Sequence, residues 1–337
     1  MMASCVRDPE VVLKNTMRGN VEALWQIIDE KYCFVEEKGL DWNGVLPIYQ
    51  AKADSIEKER AESTEKRGSD YYQRALFDLM AQMLDTLQDG HVNLYSSFDV
   101  SRCSSWYEDY PSNFNSGLLT QYIGTDYKTA AGLTYNLLKG HEDIGYIRYS
   151  SFSDSFGTLN MYYVIKYFEK CRGMIIDVRN NGGGSLENAY KLASTFMKET
   201  TLVGYWQHKT GKGHQDFSPL EPLYVDSTDM TVKWLRPVIV LCNRRSYSAT
   251  NMFVNAMRYA PNATIVGGRT GGGGGMPLSY ELPNGWMVRF SSVRMTDRDK
   301  VSTENGVMPD EEVTLEGKDK DDLIERAIKL MAPSLQK

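Results

Sequence analysis

Residues 237–260 read PVIVLCNRRSYSATNMFVNAMRYA, and their order decides the fold class. Val238 to Cys242 form a short apolar run that reads as a buried strand. A polar segment with two serines follows, and then NMFVNAMRYA reads as a helix. The same order occurs at 173–197, where the strand GMIIDVR leads through NNGGGS into the helix LENAYKLASTFM. ATIVGG, at 263–268, is a third strand. Strand–loop–helix repetition of this kind predicts an α/β domain whose functional residues lie just after the C-terminal ends of strands.

Upstream the pattern changes. Residues 8–90 are predicted helical, with Val21, Leu24, Trp25, Ile28, Tyr32 and Val35 at helical spacing, then Leu76, Leu79, Met80, Met83, Leu84 and Leu87. The second run is expected to end at Gly90. Residues 92–140 are rich in aromatics, with VNLYSSF as a strand and an irregular segment behind it. GLTYNLL and IGYIRYSSF read as further strands. The chain therefore divides into an N-terminal helical subdomain at 1–98 carrying His91, an irregular and β connection at 99–142, and an α/β core at 143–337.

The 337 residues are 42% hydrophobic and 24% charged, as in ordinary globular proteins. A net charge of −6 argues against nucleic acid or an anionic membrane as the main partner. The five cysteines include no CxxC pair, which disfavours zinc and thioredoxin-like chemistry. Cys5 stands apart. MMASC places Ala3 and Ser4 directly before it, as at the end of a bacterial lipoprotein signal, although the apolar stretch of such a signal is missing. On that reading the protein sits in the cell envelope, in the periplasm or on the surface, with a lipid on Cys5; the cytoplasm is the other location left open. No run of about 20 apolar residues is present to span a membrane.

Two loops carry the chemistry. Successive glycines in NNGGGS expose backbone N–H groups near a helix N-terminus, which suits an anion or an oxyanion equally well. The lysine and hydroxyl residue of a phosphate loop are absent. A tight turn is the plain alternative. In NRRSYSAT a serine at the mouth of a helix suits an N-cap, and it also suits a nucleophile beside first-turn N–H groups.

Together the loops resemble the family of C-terminal-processing and tricorn-core serine peptidases. IIDVRNNGGG is similar to that family's D-L-R-x-N-x-G-G segment. NRRSYSATNMFVNAMRYAPNATIVGGRTGGG is similar to its S-x-S-A-x-E, V-G-E-x-T and F-G-K-G series. LDTLQDGHVNLY, GYIRYSSF and TENGVMPDEEV also match, so the likeness runs in order over about 85–315. It implies a crotonase- or ClpP-like β-β-α spiral core and peptide hydrolysis without metal or organic cofactor. It further implies Ser248 as the nucleophile, Ser246 as its accompanying serine, and an oxyanion hole from the N–H groups of Ala249 and of Gly183 or Gly182.

The resemblance implies two mechanisms, and one residue separates them. In the processing branch the lysine of F-G-K-G is the base, and Gly273 stands in its place. In the tricorn-like branch a histidine is the base, which matches His91, with Glu304 of STENGVMPD as the orienting acid. Imidazole near its ordinary pKa takes a serine proton at neutral pH, and a carboxylate steadies the imidazolium. The tricorn pattern has a serine before its histidine; Gly90 stands there in this chain. His208 and His214, in WQHKTGKGHQDF, are rival histidines that either line the substrate cleft or decorate a hairpin, and Asp310 is the rival acid.

Fewer residues separate His91 from IGYIRYSSF than the roughly 90 a PDZ domain needs. Substrate selection is therefore expected in the cleft itself, with Gly273 along its lining and a strand edge beside Gly183 taking an extended peptide. A peptide or protein substrate is the expected partner. The alternatives are a noncatalytic peptide- or lipid-binding relative, or an esterase or amidase with the same triad.

Overall fold

The computed structural model describes residues 14–62 and 68–332, so Cys5 lies outside the described residues. The chain forms two compact units, neither continuous in sequence. One takes the chain up to Glu108 together with Gln207–Leu220 and Gly275–Arg294; the other takes Asp109–Trp206, Glu221–Gly274 and Met295–Lys337. No helix among the described residues is long and apolar enough to cross a membrane.

The second unit is built on a seven-stranded sheet in the order Glu311–Glu312, Ala263–Gly267, Val238–Cys242, Gly173–Asp177, His141–Tyr149, Leu133–Leu138, Lys128–Ala130. The first five strands are parallel and the last two pairings are antiparallel. Every residue of Gly173–Asp177 and Val238–Cys242 is buried, because helices cover both faces. Met174, Ile176, Val238, Val240 and Ile265 pack with Val164, Leu192 and Phe253, from helices Thr158–Tyr167, Leu186–Ser194 and Ala249–Met257. On the other face Ile175, Ile239, Leu241 and Val266 meet Ile123 of Ser116–Ile123 and Leu323, Ile324 and Ala327 of Asp322–Met331. Each such aliphatic side chain contributes about 1.5–3 kcal/mol on burial. The result is the expected α/β core, in which helices Thr158–Tyr167 and Ala249–Met257 each carry the chain from one strand to its parallel neighbour.

The first unit is the expected helical region, enlarged by distant sequence. Helices Met17–Lys31, Trp42–Glu62 and Ser69–Asp85 share a core, from Val21, Leu24, Met80 and Met83, with Val288 and Phe290 of strand Met287–Asp297. Strands Asn93–Tyr95 and Gly275–Glu281 flank that strand, both antiparallel to it. The third helix stops at Asp85, not at Gly90: the Thr86 hydroxyl donates to Met83 O (2.7 Å), and the left-handed residue is Gln88 at φ 48°. Gly90 serves space instead. A Cβ there would lie 2.5 Å from Nε1 of Trp106.

Candidate active site

In the second unit, strand Val238–Cys242 delivers the serine loop to the head of helix Ala249–Met257. Ser246 is fully buried; its Oγ donates to Val178 O (2.9 Å) and accepts from the Asn243 N–H (3.1 Å). It is a structural hydroxyl. Ser248 is half-buried and has φ 58° and ψ −121°, a conformation that costs a non-glycine residue about 1–3 kcal/mol. Its side chain makes no capping bond, which removes the plain N-cap reading. The backbone is held by its surroundings: the Tyr247 N–H donates to Asn181 O (3.1 Å) and the Ser248 N–H to Gly272 O (2.8 Å).

The glycine loop after strand Gly173–Asp177 lies against this serine. A Cβ on Gly183 (φ +104°) would lie 2.8 Å from the Ser248 Cβ and 3.1 Å from the Ala249 nitrogen, so only glycine allows the approach. Gly182 is open, with nothing within 4 Å of such an atom. The Gly183 N–H, expected to face an oxyanion, donates to Asn181 Oδ1 (3.0 Å), because the asparagine closes a local turn. Asn181 is itself pinned through Nδ2 to Tyr149 O (2.9 Å). The edge expected to be open beside Gly183 is engaged as well, since the Phe152 N–H donates to Gly183 O (2.9 Å) and the Ser185 N–H to Phe152 O (3.1 Å).

Glu304 stands on the far side of the glycine run. It is buried; Oε2 accepts from the Gly274 N–H (2.9 Å), and its carbonyl accepts from the Gly273 N–H (3.3 Å). Asp310 is engaged elsewhere, its Oδ2 accepting from the Ile265 N–H (2.8 Å). A latch absent from the sequence reading ties the Glu304 loop to the nucleophile helix. Asn251 Nδ2 donates to Thr303 O (3.0 Å), the Thr270 hydroxyl donates to Asn251 Oδ1 (2.6 Å), and the Val307 N–H donates to Thr270 Oγ1 (2.6 Å). The signal was available, since Asn251 occupies the glutamate position of S-x-S-A-x-E.

Gly273 has φ +71°, and a Cβ on it would lie 2.5 Å from the Tyr247 ring. A lysine is therefore expected to fit badly where the processing branch has one. Gly273→Lys should destabilise the protein by roughly 2–4 kcal/mol and restore no hydrolysis to a His91→Ala variant. Thermal melts and a peptidase assay check this, and recovered activity would contradict the branch assignment.

His91 belongs to the first unit, on the turn between Ser69–Asp85 and Asn93–Tyr95. Asp89 shapes that turn: Oδ1 accepts from the His91 N–H (2.8 Å) and Oδ2 from the Tyr32 hydroxyl (2.7 Å). The Lys38 ammonium holds the carbonyls of Leu87 (3.3 Å) and Gln88 (3.2 Å). Burial pushes the Asp89 carboxyl up, but Lys38, His91 and the two donors outweigh it and hold it below the usual range. The His91 ring is buried, with Nδ1 3.2 Å from Ser291 Oγ. Burial lowers its pKa to about 4; Asp89 opposes the shift, while Arg289 and Lys38 add to it. The ring is thus neutral at pH 7 and accepts a proton less readily than an ordinary imidazole.

His208 and His214 also lie in the first unit, on the hairpin closed by the Lys209–Phe217 bridge. His214 Nε2 is 2.8 Å from Asp29 Oδ1, which fastens the hairpin to helix Met17–Lys31. His208 is exposed; its N–H donates to Ser218 Oγ (3.2 Å) and its carbonyl accepts from the Ser218 N–H (2.9 Å). The structure thus gathers Ser248, Ala249, Gly183, Gly273 and Glu304 in one unit and places all three candidate histidines in the other. Among the described residues, no group of three His, Cys, Asp or Glu side chains is placed to hold a metal ion.

Comparison with known proteins gives this arrangement a lineage. Residues 143–313 match the model of peptidase family S41, and residues 14–61 match the tricorn protease C1 domain. A candidate peptidase from Parabacteroides merdae, known from its crystal structure, is 46% identical with a TM-score of 0.84, over 95% of this chain and 98% of its own. The tricorn protease structure superposes with a TM-score of 0.56 at 15% identity, over 94% of this chain and 36% of its own, a likeness of fold alone. The Staphylococcus saprophyticus protein named "Probable CtpA-like serine protease" is 27% identical over 176 residues, which are 51% of this chain and 34% of that protein. The matched segment thus spans about a third of the length of that curated relative. On the extent of the family match and the full-length match to the Parabacteroides structure, the chain belongs to peptidase family S41.

Proposed function

We propose that this protein is a serine peptidase in which Ser248 is the nucleophile, His91 the general base and Glu304 the acid whose carboxylate stabilises the imidazolium. The observation that carries the reading is the Ser248 backbone, held at φ 58° at a helix head with its hydroxyl unused as a cap. Strained backbone maintained by its surroundings is a mark of nucleophile turns. In the proposed reaction Ser248 Oγ attacks the peptide carbonyl carbon while Nε2 of His91 takes the hydroxyl proton. Charge moves to the carbonyl oxygen, where the Ala249 N–H meets it at the positive end of the helix. Gly183 adds a second donor once its bond to Asn181 is exchanged for one to the substrate, with the Gly182 N–H as the alternative donor. The C–N bond then breaks, His91 returns its proton to the leaving amine, and water hydrolyses the acyl-enzyme on Ser248 by the same route.

The Gly183–Asn181 bond also favours a second reading, a scaffold that binds peptides without cleaving them. A fluorophosphonate probe separates the two. Labelling at Ser248, lost in Ser248→Ala, supports the peptidase; a folded protein that is never labelled there rejects it. Placement in the cell envelope rests on Ala3, Ser4 and Cys5, and mass spectrometry for an acyl group on Cys5 tests it.

The shifted base sets a pH signature. His91 must be unprotonated to act, so kcat/KM is expected to persist through pH 5 and to fall as pH drops through about 4. An acid limb near the ordinary value of 6.5 would count against His91 as the base in this environment. The same shift makes stability decline as pH falls from 6.5 to about 4, because the unfolded chain takes up the proton there and the folded one does not. Melts at each pH keep the two effects apart.

A further inference from the structure

A base carried on a turn needs something to fix its ring, and the first unit supplies it from a distant strand. Asn93–Tyr95 pairs antiparallel with Met287–Asp297 so that Asn93 faces Arg289 and Leu94 faces Val288. Two residues further along the same register, His91 falls opposite Ser291. Directly opposed residues of an antiparallel pair share a face and interact closely. Here Nδ1 of His91 and Oγ of Ser291 are 3.2 Å apart, and Ser291 is fully buried. Ser291 is itself held, its carbonyl accepting from the Cys33 N–H (3.0 Å). Gly275, the last of the five consecutive glycines, leaves room for it: a Cβ there would lie 2.5 Å from the Ser291 Cβ and 2.6 Å from its Oγ. The position that carries serine in the tricorn-like pattern is closed to a side chain here, since Trp106 fills the space beside Gly90.

We propose that Ser291 is the positioning residue for His91, accepting a hydrogen bond from Nδ1–H and so fixing the tautomer in which Nε2 carries the lone pair. The proposal rests on the reading of His91 as the base. Neutral imidazole has one N–H, and only the form protonated on Nδ1 leaves Nε2 able to receive the serine proton. The bond to Oγ strengthens when the ring becomes imidazolium, because the donor is then charged. A hydroxyl steadies both states without bringing a negative charge that would keep the ring protonated.

The test uses the full chain with 15N-labelled histidine. Two-bond proton–nitrogen correlation spectra at neutral pH are recorded for the wild type, Ser291→Ala and Ser291→Cys, with His91→Ala to assign the signal. Wild-type His91 is expected to be protonated on Nδ1 and not on Nε2. In Ser291→Ala the signal should move toward the Nε2–H form that free imidazole favours, and fluorophosphonate labelling of Ser248 should slow roughly ten- to hundredfold. Ser291→Cys, near in size but a poor acceptor, should fall between and serves alone if the alanine variant does not fold. A wild type protonated on Nε2 overturns the proposal. So does a Ser291 variant with an unchanged tautomer, whether or not labelling slows. A wild type that shows the Nδ1–H form yet never labels at Ser248 rejects the peptidase reading while leaving the hold of Ser291 on the ring in place.

Discussion

Ser248→Ala and His91→Ala are each expected to lower kcat by roughly 10⁴–10⁶-fold, and the double variant by no more than either alone. A nucleophile and the base that activates it act as a unit, so removing the second part costs little once the first is gone. Steady-state hydrolysis of an unstructured peptide, with circular dichroism to show that each variant folds, measures this. His208→Ala and His214→Ala are the controls. His214 is bound to Asp29 and His208 is exposed on a hairpin, so both variants should retain most activity. If activity survived the loss of His91 and disappeared with His208 or His214, the base would be misassigned. If the two single losses multiplied in the double variant, His91 would act somewhere other than on Ser248.

The α/β core was legible because its central strands are buried on both faces and therefore appear as unbroken apolar runs, each ending in a polar loop. The serine loop and the glycine loop could be located for the same reason, since both follow such runs. Pairings that depend on distant register left no local trace. Gly275–Arg294 joins the N-terminal helices because Val288 and Phe290 complete a core with Leu24 and Met80, across more than two hundred residues. The Ser291 partner of His91 comes from that same pairing. Glycine carries more than one local meaning, and sequence alone does not choose among them. Gly90 looked like a helix stop, but the helix ends at Asp85 and Gly90 makes room for Trp106. The family resemblance gives the Gly183 N–H to the oxyanion hole, but sequence does not show where an N–H points, and this one points at Asn181. The absence of a lysine at 273 was visible directly; that the Tyr247 ring closes the position to any side chain was not.

Arg179→Met is expected to destabilise the protein by roughly 3–5 kcal/mol, although Arg179 touches neither Ser248 nor Glu304 in any resolved bond. The strand segment IIDVR ends with the charged residues Asp177 and Arg179, and in the structure both are wholly buried. Arg179 reaches Asp177 Oδ2 (2.6 Å) through Nη2 and Asp321 Oδ1 (2.9 Å) through Nη1, and all three side chains are inaccessible to solvent. Burial opposes ionisation of Asp177, but Arg179, Arg148 and the Tyr146 hydroxyl outweigh it and hold the carboxyl below its usual range. Removing the guanidinium leaves Asp177 with Arg148, the Tyr146 hydroxyl and the backbone N–H of residue 179 (3.0 Å). It leaves the Asp321 carboxylate with the Leu323 and Ile324 N–H groups that it caps (3.2 Å each). Arg179→Lys should recover little, because a single ammonium cannot bridge two carboxylates in the planar fork that guanidinium provides. Adding Asp321→Asn to Arg179→Met should recover part of the loss, since Asp177 keeps Arg148 as its counter-charge (3.4 Å) and asparagine still caps a helix. Urea unfolding of the four proteins, read as midpoints at constant slope, decides the matter. A loss below about 1 kcal/mol for Arg179→Met would mean that water reaches the cluster and that the triad does not anchor the sheet. The consequence extends to the site, because Asp177 ends the strand from which the 178–185 loop departs toward Ser248. Once that strand end loosens, labelling of Ser248 should slow even at temperatures where the variant remains folded.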